Sequence, residues 1–151
     1  MPDDDDGLRT VLAHQTVAFL QATFPQADFS DARVLTASWD SVAVDTGREI
    51  FKFPQRAAAA QALRRETSIL SVLRPLVSLA VPDLVLFETP ILFSRHTKIP
   101  GEALQPAAYP CLTESEKDAL AETLALFCAE LHDLSVATMQ AAGALPVGDW
   151  L

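Results

Sequence analysis

The spacing of apolar residues changes character several times along the chain, and each change predicts an element. From Leu8 to Phe24 the residues Leu8, Leu12, Phe19 and Leu20 fall near one face at helical spacing, and Pro25 closes the segment. Between Arg33 and Phe53 the texture becomes short and β-branched: Val34-Leu35, Val42-Ala43-Val44 and Ile50-Phe51-Lys52-Phe53. They are separated by Ser38-Trp39-Asp40-Ser41 and by Asp45-Thr46-Gly47, which predicts three strands joined as consecutive hairpins. Residues 56–74, rich in Ala, Arg, Leu and Gln ahead of Pro75, read as a helix. A second strand pair, Leu84-Val85-Leu86-Phe87 and Ile91-Leu92-Phe93-Ser94, surrounds a Glu88-Thr89-Pro90 turn. After Pro100-Gly101 a loop runs to Leu112, and Thr113 with Glu116 forms a capping box for a last helix. Along it Leu120, Leu124, Phe127, Leu131 and Leu134 recur at four, three, four and three, one apolar stripe. The expected fold is α+β: a five-stranded, mostly antiparallel sheet with one packed helix, an N-terminal helix before it and a helix after it that begins a second lobe.

Composition narrows this picture. At 151 residues, half of them apolar and with a mean hydropathy of +0.20, the chain supports one core and leaves apolar surface that seeks a partner. The net charge is −9, divided as −4 over residues 1–30, +2 over 31–100 and −7 over 101–151. A basic middle in an acidic chain suits a small anionic ligand and argues against a nucleic-acid partner. Asp3 to Asp6 read as a solvated, disordered tail over residues 1–7. Cys111 and Cys128 form neither a disulfide framework nor a metal motif. With no signal-type apolar run and no stretch of 18 apolar residues, a cytoplasmic protein without a membrane partner is expected.

Two residues stand out chemically. Lys52 interrupts an otherwise apolar strand, and Glu66 falls between Leu63, Leu70 and Leu73 in the apolar stripe of the next helix. A carboxylate buried there calls for a partner, and Lys52 is the nearest candidate in chain order. A strand lysine paired to a glutamate on the following helix is how protein kinases hold the α- and β-phosphates of ATP. Spacing alone equally permits Glu66 at the rim of its helix, paired with Arg65, and Lys52 on an edge strand.

A series of segments in order adds to the pair: Ser38-Trp39-Asp40-Ser41-Val42-Ala43-Val44, Arg48-Glu49-Ile50-Phe51-Lys52-Phe53-Pro54, Leu63-Arg64-Arg65-Glu66, Val81-Pro82, Ile99-Pro100-Gly101-Glu102-Ala103-Leu104 and Leu131-His132. Over residues 30–134 the chain resembles the N-terminal half of the aminoglycoside phosphotransferase family. The resemblance implies a kinase-like N-terminal lobe over 8–98, a linker over 99–112 and the start of a truncated helical lobe over 113–151. It implies that Lys52 contacts the phosphates of ATP or GTP, carried with Mg²⁺, and that Glu66 positions it. The turn Ser38, Trp39, Asp40 and Ser41 would lie over the phosphates in place of a glycine-rich loop. Ser94, Arg95, His96 and Thr97, after the last strand, would be the hinge whose backbone meets the purine.

The family also carries a His-Gly-Asp segment with an Asn five residues on, then a second metal-binding Asp; this sequence contains no asparagine. His132-Asp133-Leu134 belongs to the apolar helix and has Thr138 at the Asn spacing, and Gly148-Asp149 has no histidine before it. His14 reads as structural or surface, the imidazole of His96 as uninvolved beside its backbone, and no zinc cluster occurs. The expected function is therefore that of the nucleotide-binding lobe of a small-molecule phosphotransferase, inactive as this chain alone. It would associate with itself or with a helical lobe through the helix at 113–134. The rival expectation is a non-catalytic interaction module on the same lobe, with the Lys52–Glu66 pair purely structural.

Overall fold

The computed structural model describes residues 15–35 and 40–146. The acidic start, His14, Ser38, Trp39 and Gly148-Asp149 lie outside the described residues. The chain divides into two compact units. One comprises the chain up to Thr67 together with Asp83–Lys98, and the other Ser68–Pro82 with everything from Ile99 onward.

The first unit contains helix α1, described over residues 15–23, and a five-stranded sheet. Its strands are β1 (Arg33–Leu35), β2 (Ser41–Asp45), β3 (Glu49–Pro54), β4 (Val85–Phe87) and β5 (Phe93–Thr97), in the order β1-β2-β3-β5-β4. Every pairing is antiparallel, as the hairpin pattern requires. The β2–β3 turn shows why the meander forms where it does. Gly47 takes φ +83°, a value that only glycine adopts without strain, and its N–H donates to Asp45 Oδ1 at 2.7 Å. The Thr46 N–H donates to the Glu49 carbonyl at 3.0 Å and closes the hairpin.

Period-two alternation sends Val42, Val44, Phe51, Phe53 and Phe93 to one face of the sheet. There Val44, Phe51, Phe53 and Phe93 join Leu20 of α1 and Phe29 in the core, with Phe19, Phe24 and Phe87 packed around it. The rings meet in edge and stacked pairs: Phe19 stands at 85° to Phe93 with centroids 5.7 Å apart, and Phe87 stacks on Phe93 at 4.6 Å. Burying each such ring contributes about 1.5–3 kcal/mol, so this cluster dominates the stability of the unit.

Helix α2 (Ala57–Leu73) has no Gly or Pro in its length, opens on four alanines and ends two residues before Pro75. The division between the units falls within it. The second unit holds helix α3 (Glu114–His132), preceded by a short 3₁₀ turn at Tyr109–Cys111. The capping box forms as expected: the Thr113 hydroxyl accepts from the Glu116 N–H, and the Glu116 carboxylate accepts from the Thr113 N–H at 2.7 Å. The segment after α2 is tied to α3 through Ser78, whose N–H and hydroxyl both donate to Glu130. A further helix, α4 (Val136–Ala141), starts at Ser135. His132 is the last residue of α3 and Asp133 its C-cap, so this stretch is a helix end.

The last strand differs from expectation. It was expected to end at Ser94, with a hinge over residues 94–97, but β5 runs from Phe93 to Thr97. Ile91 and Leu92, expected in the strand, lie in the preceding connection, with Ile91 exposed. The polar Ser94 and His96 disguise β5 because their face of the sheet is not the aromatic core. Among the described residues no helix is long and apolar enough to cross a membrane.

Candidate functional site

The register assembles a second face of the sheet, opposite the aromatic core. Ala43 lies across from Lys52, Lys52 from Ser94, and Ser94 from Leu86, so one row crosses four strands. The next row runs Asp45, Ile50 and His96, and on the other side of Lys52 comes the pair Ser41 and Pro54. Helix α2 presents Glu66 to this face, where Lys52 Nζ donates to Glu66 Oε2 at 2.8 Å.

The lysine–glutamate pairing forms as the sequence suggests, though not for the reason of burial. The two side chains retain 36% and 41% of their exposure. At that exposure the pair contributes within about 1 kcal/mol to stability, and its effect is to aim an ammonium group across an open surface. Leu63, one turn before Glu66, is buried and fixes the rotation of α2.

Asp40 and Ser41 take defined positions at the start of β2. The Asp40 carboxylate pairs with the Arg56 guanidinium, and its carbonyl accepts from the Gln55 N–H at 2.7 Å, so the entrance to β2 is fastened to the exit of β3. Ser41 is buried beside Pro54, on the Lys52 face.

Of the four residues expected in a hinge, Ser94 and His96 point to the Lys52 face and Arg95 and Thr97 to the other. The Arg95 side chain is therefore not in the site. It pairs with Glu49, donating from Nε at 2.7 Å, and its guanidinium lies 5.1 Å from the Phe24 ring centre. The Ser94 hydroxyl oxygen and His96 Nδ1 are both sealed from solvent and without a hydrogen-bond partner. Burial pulls the His96 imidazole below its ordinary value of 6.5; Glu66 opposes that shift and Lys52 adds to it. The imidazole was set aside in favour of its backbone, and two-residue alternation from Phe93 is the signal that would have placed it beside Lys52.

The backbone edge beyond β5 also matters. The Lys98 N–H donates to the Arg48 carbonyl at 2.8 Å, which turns the peptide groups of His96 and Ser94 toward β3 and those of Arg95 and Thr97 toward β4. The β4 ladder begins at Val85, opposite Arg95, so Thr97 lies beyond its last rung. The strand thus runs three residues beyond Ser94, where the hinge was expected to begin.

The arrangement suits a phosphate-bearing ligand, because it aims an oriented ammonium across an open surface. Among the described residues no group of three His, Cys, Asp or Glu is placed to hold a metal ion. A separate cleft of about 870 Å³ lies on the core side, lined among others by Phe24, Asp28, Arg48, Glu49 and Arg95. It opens on the face of the sheet opposite Lys52, and two of its charged residues, Arg95 and Glu49, pair with each other.

Comparison with known proteins identifies the fold and the family. Residues 24–150 match the model of the phosphotransferase enzyme family. No curated protein matches the chain. Among solved structures it resembles the GDP and kanamycin complex of APH(2″)-IIia, with a TM-score of 0.75 and 25% identity, covering 86% of this chain and 45% of that one. It also resembles the ADP-bound aminoglycoside phosphotransferase APH(2″)-Ib, with a TM-score of 0.65 and 26% identity, covering 78% of this chain and 40% of that one. The macrolide 2′-phosphotransferase MphH from Brachybacterium faecium shares the fold at a TM-score of 0.70 and 18% identity, covering 89% and 50%. The chain spans about half the length of these structures or less. With a family match over most of its residues, it belongs to the phosphotransferase enzyme family.

Proposed function

We propose that the chain is the nucleotide-binding lobe of an ATP- or GTP-dependent small-molecule phosphotransferase, with Lys52 on the nucleotide phosphates and Glu66 holding Lys52 in place. The observation that carries this reading is the 2.8 Å contact between Lys52 and Glu66 on an open face of the sheet. The turn at Ser38, Trp39, Asp40 and Ser41 would cover the phosphates, and the backbone from Thr97 onward would meet the purine. The solved relatives named with GDP and ADP support a nucleotide in this lobe. Mg²⁺ would arrive with the nucleotide and would neutralise part of the charge on its phosphates.

In the complete reaction the γ-phosphoryl group passes to a hydroxyl of a small molecule, as an amino sugar offers, and a nucleoside diphosphate departs. The role of Lys52 there is to fix and neutralise the phosphates; the role of Glu66 is to orient Lys52. The 151 residues contain no asparagine for the second metal position and no His-Gly-Asp segment, so this chain alone is expected to show no turnover. The exposed free thiols Cys111 and Cys128 and the use of nucleoside triphosphates favour the cytoplasm. The exposed Leu124 and Leu126 of α3 favour association with a second copy or with a helical lobe.

Trp39 gives a direct test, since Trp150 is the only other tryptophan and can be replaced by Phe. Mg-ATP or Mg-GTP should change Trp39 emission with a midpoint in the high micromolar to millimolar range, about −4 to −6 kcal/mol. Lys52→Ala should weaken binding about tenfold or more, because a charge-assisted phosphate contact contributes about 1.5–3 kcal/mol. Glu66→Gln should weaken it less. Emission that stays flat to about 10 mM nucleotide, with the fold intact by circular dichroism, would leave the interaction-module reading as the better account.

A further inference from the structure

The chain breaks a local rule at the start of α2. The Ala60 N–H donates to the Arg56 carbonyl at 3.0 Å, which makes Arg56 the residue that caps the helix. That position favours a side chain able to accept a hydrogen bond, and the positive end of a helix disfavours a cation. Arg56 meets neither condition, and no acid lies in the first turn of α2 to compensate. Its guanidinium pairs instead with the Asp40 carboxylate. With side-chain exposures of 63% and 53% that pair adds little to overall stability. What Arg56 gains from its position is a hold on Asp40.

Asp40 joins Trp39 to β2. It extends the β2–β3 register one step past Ser41 and Pro54, because the Gln55 N–H donates to its carbonyl at 2.7 Å. Bonded and non-bonded pairs alternate along an antiparallel ladder, so Pro54 falls at a non-bonded pair, where its missing N–H leaves nothing unsatisfied. The segment 54–56 thus reaches three parts at once: the end of the strand that carries Lys52, the start of the helix that carries Glu66, and the entrance to β2.

We propose that Arg56 is a positioning residue for nucleotide: through Asp40 it fixes the turn over residues 38–41 relative to Lys52, and it balances the carboxylate that this turn would bring to the phosphates. This role rests on the nucleotide reading above. An unbalanced carboxylate beside a triphosphate repels it, whereas one paired to a guanidinium does so far less. Arg56 acts through Asp40 and not on the ligand.

Trp39, the neighbour of Asp40, reports on the turn with or without ligand in the full chain carrying Trp150→Phe. In the absence of nucleotide, Arg56→Gln should enlarge the nanosecond component of the Trp39 anisotropy decay, while the thermal midpoint stays within about 3 °C. Dissociation constants for Mg-ATP and Mg-GTP, from ligand-detected NMR, should rise about fivefold in Arg56→Gln and recover to within about twofold of the parent in Arg56→Lys. Asp40→Asn should raise them less. The double variant should bind no more weakly than Arg56→Gln alone, since the two residues act as one unit. Losses that multiply in the double variant would mean that Arg56 acts on the nucleotide independently of Asp40, and would overturn the assignment. So would an anisotropy decay that Arg56→Gln leaves unchanged. If Trp39 responds but parent and variants alike bind neither nucleotide, the phosphate role falls with the nucleotide reading and the hold on the turn remains. Should Arg56→Gln fail to fold, Asp40→Asn, with a side chain of nearly the same shape, supplies the same anisotropy comparison.

Discussion

Lys52 and Glu66 were legible because each breaks the pattern of its own element, a cation in an apolar strand and an anion in an apolar helical stripe. What the pattern could not supply was exposure: it implied a buried pair, and the face turned out to be open. His96 was harder to read, since a histidine flanked by Arg95 and Thr97 looks like loop until the strand is known to continue through it. The same residue shapes the response to acid. Its folded pKa lies below the unfolded value of 6.5, so the unfolded chain takes up the proton first. The stability His96 contributes is present above about pH 6.5 and is lost as pH falls through the folded value. Asp45 acts at lower pH: the Lys98 ammonium, and then the Gly47 N–H, hold its carboxyl below 3.8, so its contribution is present above that value and lost beneath it. Urea midpoints should therefore fall in two stages between pH 7 and pH 3. His96→Leu should remove the first and Asp45→Asn should flatten the second; an unchanged profile in both variants would refute the assignment.

At the scale of elements, the three-stranded meander, α2 and the capping box of α3 followed from turn residues and periodicity, because each is specified within its own stretch of chain. Thr113 and Glu116 announce α3 without any knowledge of its neighbours. By contrast β5 takes its form from what lies on either side: Phe93 is buried in the aromatic core, and Ser94 is buried on the Lys52 face. Sheet order, with β5 between β3 and β4, is a non-local choice of the same kind. The cap is the more easily tested of these features. Thr113→Ala leaves the Glu116 N–H without its acceptor and should cost about 1 kcal/mol, lowering the thermal midpoint by about 2–4 °C. Thr113→Ser should melt like the parent, and an unaltered melt of Thr113→Ala would mean that α3 does not depend on its cap.

For the molecule as a whole, the balance between apolar surface and charge governs association. No side chain of α3 is fully buried, and Leu124, Leu126 and Val136 are exposed on the second unit together with Leu104 and Tyr109. That unit is also where acid predominates, with −7 over residues 101–151, so like-charge repulsion opposes the contact that the apolar residues favour. Sedimentation at tens of micromolar should show concentration-dependent association that strengthens with salt as the repulsion is screened. Leu124→Glu should shift it toward monomer, and a monodisperse monomer at every salt concentration would exclude the idea.

A strand that serves the aromatic core with Phe93 and the Lys52 face with Ser94 and His96 has, in effect, a reading frame. One residue inserted within 93–97 would exchange the two sets, sending an imidazole into the phenylalanines and a guanidinium toward Lys52. The connection over residues 88–92, with exposed Glu88 and Ile91, is under no such rule. Lineages that keep this lobe are free to lengthen that connection by any number, whereas β5 itself can drift only in steps of two.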